Sequence, residues 1–124
     1  DKLIMLAVPN KGISGAISDY CGFIGENREC QDMQENSLFI NKLNDPLKQP
    51  DKVKLYAIIG QGCKMKLGDG DGVVLSKNAE LENTKIYLVN GTCDRVFGET
   101  LHTEILDVEK YPESYNIVKG VLRE

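Results

Sequence analysis

The sequence predicts an α/β layer architecture built on a mostly parallel sheet with flanking helices. Three observations carry it: short apolar runs alternate with polar, helix-like segments, each run stops at turn residues, and the chain closes with an amphipathic helix. The runs are Leu3 to Val8 before Pro9-Asn10, Val53 to Ile59 before Gly60-Gln61-Gly62, and Ile86 to Val89 before Asn90-Gly91. Near-continuous apolar runs suit strands buried on both faces, as in a parallel sheet. Between the first two, Asn36-Ser37-Leu38-Phe39-Ile40-Asn41-Lys42-Leu43 has the apolar spacing and cap residues of a short helix, which can serve as a crossover. The last stretch has Pro112 in its first turn and sets Tyr115, Val118 and Leu122 on one face, with Ile117 and Val121 beside it.

No internal repeat or linker divides the 124 residues, whose apolar fraction of 41% suits one compact domain or part of one. Three strands with two apolar faces need more strands and helices than this chain supplies, so a piece of a longer product is expected. Asp1-Lys2 leads straight into the first apolar run with no signal region, which reads as a cut or processed start. The net charge of -4 comes from 19 acidic and 15 basic side chains mixed along the chain, without the basic stripe that nucleic acid requires. Every apolar run is far shorter than the roughly 20 residues of a membrane-spanning helix, so no transmembrane segment is expected.

Four cysteines permit two disulfides or four buried thiols. None has Cys-x-x-Cys spacing and the only histidine is distant, which argues against a structural metal site. The expected bridges are Cys21 with Cys30, around a short polar loop, and Cys63 with Cys93, joining the ends of two apolar runs. The second closes a loop worth roughly 3 to 4 kcal/mol in the chain-entropy model. With the acceptor pattern Asn90-Gly91-Thr92, the cysteines point to a secreted or extracytosolic protein.

Ligands of open α/β sheets sit at the carboxyl ends of the strands. The loop after the second run contains Gly68-Asp69-Gly70-Asp71-Gly72-Val73-Val74, and the loop after the third contains His102. An acid after one strand and a histidine after the next suit a carboxylate that orients a general base. Simpler readings stand beside it: a flexible surface turn, or a calcium loop that fails the EF-hand pattern at Val73. Gly60-Gln61-Gly62 lacks the Lys-Ser or Lys-Thr pair of a phosphate loop. Ser14, in Gly12-Ile13-Ser14-Gly15-Ala16, lacks the second glycine of a nucleophile elbow and lies several residues beyond its strand.

The order of acid and histidine resembles that of α/β-hydrolases of the lipase and esterase kind, whose chain order is Ser, Asp, His. Leu3-Ile4-Met5-Leu6-Ala7-Val8-Pro9-Asn10-Lys11-Gly12 resembles the strand and turn after the nucleophile elbow, and Asn36 to Asn44 a helix beyond it. Asp71-Gly72-Val73-Val74 is similar to the acid loop and Leu101-His102-Thr103-Glu104-Ile105-Leu106 to the histidine loop. The resemblance implies that residues 1–124 are the C-terminal portion of one hydrolase domain, with Asp71 as triad acid, Asp69 as its substitute, and His102 as base. Gly-x-Ser-x-Gly and the oxyanion hole would lie upstream, and Ile17 to Pro46 would occupy the place of a lid or of a plain crossover. The implied substrate is a carboxylic ester or lipid, cleaved without metal or organic cofactor. The competing expectation is a catalytically inactive, hydrolase-like binding module.

Overall fold

The computed structural model describes residues 1–14, 27–48, 52–93 and 100–124. In chain order the elements are β1 (Lys2–Leu6), α1 (Asn27–Asp32), α2 (Leu38–Leu43), a 3-10 turn (Pro46–Lys48), β2 (Lys54–Gln61), β3 (Cys63–Met65), β4 (Gly68–Gly70), α3 (Ser76–Ala79), β5 (Thr84–Asn90), α4 (Leu101–Glu104) and α5 (Pro112–Arg123). Strands β1, β2 and β5 form a parallel sheet in that order, with Leu6 opposite Ile58 and Gln61 opposite Asn90. The mixed α/β class and parallel strands agree with the apolar runs, and all three carboxyl ends emerge along one edge.

Alternation along the strands separates two faces. Ile4, Leu6, Ile58, Tyr87 and Val89 point to one face, where they pack with Leu101, Ile105, Ile117 and Val118. Met5, Leu55, Ala57 and Ile59 point to the other, against Val74 and Ala79. Strand β2 is central and buried on both sides, which explains its continuous apolar run.

Several expectations are corrected. The second run does not end before Gly60: β2 continues to Gln61, because the register carries Gly60 and Gln61 opposite Val89 and Asn90 of β5. Gly68–Gly70 is not open loop but pairs antiparallel with Cys63–Met65 as a small hairpin. Its glycines carry no apolar alternation by which a strand is read. Helix α2 is N-capped as expected, with Ser37 Oγ accepting from Ile40 N–H at 3.1 Å, yet Ile40 is its only buried residue. Leu38, Phe39 and Leu43 are exposed instead of lying on the sheet.

Helix α5 starts at Pro112 as its sequence suggests, but Ser114, Ile117, Val118 and Val121 form its inner face, while Tyr115 and Leu122 are exposed. Spacing alone allowed either set; the seating of the helix decides. Lys2 Nζ donates to the Val121 carbonyl at 2.8 Å, and Glu124 receives Tyr56 Oη at 3.0 Å and Lys85 Nζ at 2.8 Å. The Lys85 hydrogen bond, then that of Tyr56, holds the Glu124 carboxyl below its ordinary range. The same bond raises the Lys85 ammonium, whereas burial, ahead of Glu124, raises the Tyr56 hydroxyl.

Candidate functional site

Past Gln61 the chain turns sharply. Gly62 has a φ of +110°, and a Cβ there would collide with the Gly91 carbonyl of the neighbouring loop, so only glycine fits. The β3–β4 hairpin then leads to Asp71. The two acids of the glycine-rich segment have separate tasks. Asp69 Oδ1 accepts the N–H groups of Gly62 and Gly70, each at 2.9 Å, pinning the hairpin to the end of β2. Asp71 Oδ1 accepts Val73 N–H at 2.9 Å and Val74 N–H at 2.7 Å, leaving Oδ2 for a side chain.

That side chain is His102. Its Nδ1 lies 2.8 Å from Asp71 Oδ2, and its backbone N–H donates to the Asp71 carbonyl at 2.9 Å. Asp71 is only 1% exposed, so its carboxylate is removed from water and held by backbone donors and the imidazole. The His102 side chain keeps 29% of its surface accessible. Nδ1 facing Oδ2 favours the tautomer with the proton on Nδ1, which leaves Nε2 as the basic nitrogen. No hydrogen bond to Nε2 is seen among the described residues.

Backbone and core set this geometry. His102 is the second residue of α4, and the preceding Leu101 is fully buried in the core. Gly60 makes room for the acid, since a Cβ there would lie 2.7 Å from Asp71 Cβ and 3.1 Å from Leu101 Cδ2. The loop after β1 is tied in as well. Asn78 Nδ2 donates to the Gly12 carbonyl at 3.0 Å, and Asn10 Nδ2 to the Ala79 carbonyl at 2.7 Å. Gly60, Leu101, Asn10 and Asn78 carry no mark of this supporting role in the sequence, because a Gly, Leu or Asn has too many ordinary uses.

Of the residues singled out from sequence, the structure therefore brings Asp71 and His102 together, and Asp69 is used elsewhere. Ser14 Oγ accepts from Asn78 Nδ2 at 3.3 Å, and no hydrogen bond joins it to His102 among the described residues. Both acids of the glycine-rich segment accept backbone N–H groups, Asp71 from Val73 and Val74 in its own turn and Asp69 from Gly70 and from Gly62 at the end of β2, so the segment is a built turn. No group of three or more metal-ligating side chains occurs among the described residues. Cys63 and Cys93 form a disulfide across the site's base, with Cα atoms 5.1 Å apart. Cys21 lies outside the described residues, and with it the expected Cys21–Cys30 pair, as does the first part, 17–26, of the stretch from Ile17 to Pro46 considered as lid or crossover. Asn90 of the Asn90-Gly91-Thr92 pattern accepts from Gln61 Nε2 at 2.7 Å. No described helix is long and apolar enough to cross a membrane. No protein-family model matches the chain, and neither a curated protein nor a solved structure does.

Proposed function

We propose that the chain is the C-terminal segment of an α/β-hydrolase of the lipase or carboxylesterase class, supplying the acid and base of a Ser-His-Asp triad. The observation that carries this reading is the Asp71–His102 hydrogen bond, made by loops that leave the carboxyl ends of neighbouring parallel strands. A buried carboxylate on Nδ1 and an imidazole that remains partly accessible are what a general base needs. In this reading the nucleophile is expected from outside these 124 residues; Ser14 accepts from Asn78 and makes no hydrogen bond to His102 among the described residues. Further support comes from the sheet. Leu3 on β1 and Ile86 and Leu88 on β5 are about half exposed, as expected where further strands or helices are to pack.

In this mechanism Nε2 of His102 takes the serine proton as the serine oxygen attacks the ester carbonyl. It then protonates the departing alcohol, leaving an acyl-serine. Water, deprotonated by the same nitrogen, cleaves that ester and returns the serine. Asp71 keeps the proton on Nδ1 and steadies the imidazolium while remaining ionised. The substrate is a carboxylic ester, with lipid esters in the same class, and the steps need no metal or organic cofactor. The disulfide suits an oxidising compartment, and we place the protein outside the cytosol on that basis.

The test is His102→Ala in the protein that carries the upstream segment, assayed with a chromogenic short-chain ester and a serine-directed phosphonate. Ester turnover should fall by about 10⁴-fold or more with the fold retained. Retained turnover removes His102 from the mechanism. Absence of any phosphonate-reactive serine in the parent protein would instead favour a binding module.

A further inference from the structure

The ends of β2 and β5 are joined by three successive links. Gly91 N–H donates to the Gln61 carbonyl at 2.9 Å, Gln61 Nε2 donates to Asn90 Oδ1 at 2.7 Å, and the Cys63–Cys93 bridge follows. The bridge also touches the acid loop. Cys93 Sγ lies 3.5 Å from the Asp71 carbonyl oxygen, and a Cβ on Gly72 would meet that sulfur first, at 2.8 Å. A disulfide sulfur carries no proton, so this is packing and not a hydrogen bond. The carbonyl it packs against is the one that accepts His102 N–H.

This contact has a specific use, because the Asp71–Gly72 peptide is easily rotated. Gly72 has a φ of +96°, and glycine moves between backbone regions at little steric cost. A rotation of that peptide would carry its carbonyl away from His102 N–H, and with it the anchor that sets the imidazole beside Oδ2. The bridge borders that peptide on one side, with Thr100 beside it, where a Cβ on Gly72 would meet Thr100 Cβ at 3.0 Å. A staple meant only to restrict the unfolded chain could sit anywhere along the two loops; this one sits on the peptide that holds the histidine.

We propose that Cys63 and Cys93 are positioning residues for the Asp71–His102 pair, the bridge holding the Asp71–Gly72 peptide so that His102 keeps Nδ1–H on Asp71 Oδ2. Its value to acyl transfer rests on the hydrolase reading above; its orienting action can be measured without it.

His102 is the only histidine in the chain, so nitrogen-15 imidazole spectra contain one residue's signals. In the oxidised chain at neutral pH the imidazole should be in the Nδ1–H form, with a low-field, hydrogen-bonded proton. In Cys63→Ala/Cys93→Ala the low-field proton should vanish and the Nε2–H form appear. Exchange of the His102 amide should speed up about tenfold or more while circular dichroism shows the fold retained. The wild-type chain reduced with dithiothreitol keeps both sulfur atoms in place and should behave in the same way. A folded variant or reduced chain that keeps the Nδ1–H form and its amide protection overturns the proposal. So does unfolding of both, which would make the bridge a support of the whole fold. If the tautomer shifts as expected but the intact parent protein hydrolyses no ester, the positioning role stands and the hydrolase reading fails.

Discussion

The two faces of the central sheet are finished to different degrees. The face bearing Ile58 and Val89 is closed by α4 and α5, whose Leu101, Ile105, Ile117 and Val118 fill it. The opposite face is covered over its middle by Val74 and Ala79, while Leu3 at one edge and Ile86 and Leu88 at the other are 48%, 41% and 46% exposed. The candidate site belongs to the finished side: Leu101, which delivers His102, is fully buried there, and Gly60, which accommodates Asp71, points there as well. A site whose parts must meet within a fraction of an ångström is placed where packing is complete, and the open face is where the proposed remainder of the domain would be received.

Substitutions can break this contrast. The largest effect expected is in the pair itself: Asp71→Asn in the protein carrying the serine should lower kcat by about 10⁴-fold without unfolding, because an amide turned toward Nδ1 favours the wrong tautomer. Near-normal kcat in an ester assay would detach Asp71 from the chemistry. Next comes the closed core, where Leu101→Ala should cost about 2–5 kcal/mol in urea unfolding. Gly60→Ala, whose new methyl would press on Asp71 Cβ, should cost about 1–3 kcal/mol through overpacking and disturb the low-field imidazole proton. An unchanged imidazole spectrum would mean that the acid loop can yield. On the open face Leu88→Ala should change the stability of this chain by about 0.5 kcal/mol or less; a loss as large as that of Leu101→Ala would show the two faces to be equally closed.

The smallest effect concerns the fastening of α5 at the other edge of the sheet. Glu124→Gln removes the charge that pairs with Lys85 and one of the two oxygens that accept from Lys85 and Tyr56, so the melting temperature should fall slightly at neutral pH. The sign with pH follows from the lowered carboxyl of Glu124. Its stabilisation is present above the ordinary carboxylate range and lost as pH falls through the depressed value, so wild type and variant should converge in acid. A gap that persisted or widened on acidification would exclude Glu124 as its source.

Much of the plan was legible because it follows from local rules. Apolar runs ending in Pro-Asn, Gly-Gln-Gly and Asn-Gly marked three strands, and Ser37 and Pro112 marked helix starts that need only their own neighbours. The strand-end rule also led to the glycine-rich segment with its two acids and to His102. Less legible was the hairpin Cys63–Gly70, in which glycine supplies no alternation, and the inner face of α5, where Tyr115 and Leu122 satisfy the same spacing as the residues that are buried.

The sequence by itself determined that this is an α/β chain with parallel strands, and that the two acids of the glycine-rich segment and the single histidine follow neighbouring strands, because hydrophobic periodicity and chain order are local. Tertiary structure alone decided that Asp71 rather than Asp69 meets His102. Both acids sit between glycines in one short stretch, and only the register of the hairpin and the absence of a side chain at Gly60 turn one toward the end of β2 and seat the other beneath the imidazole.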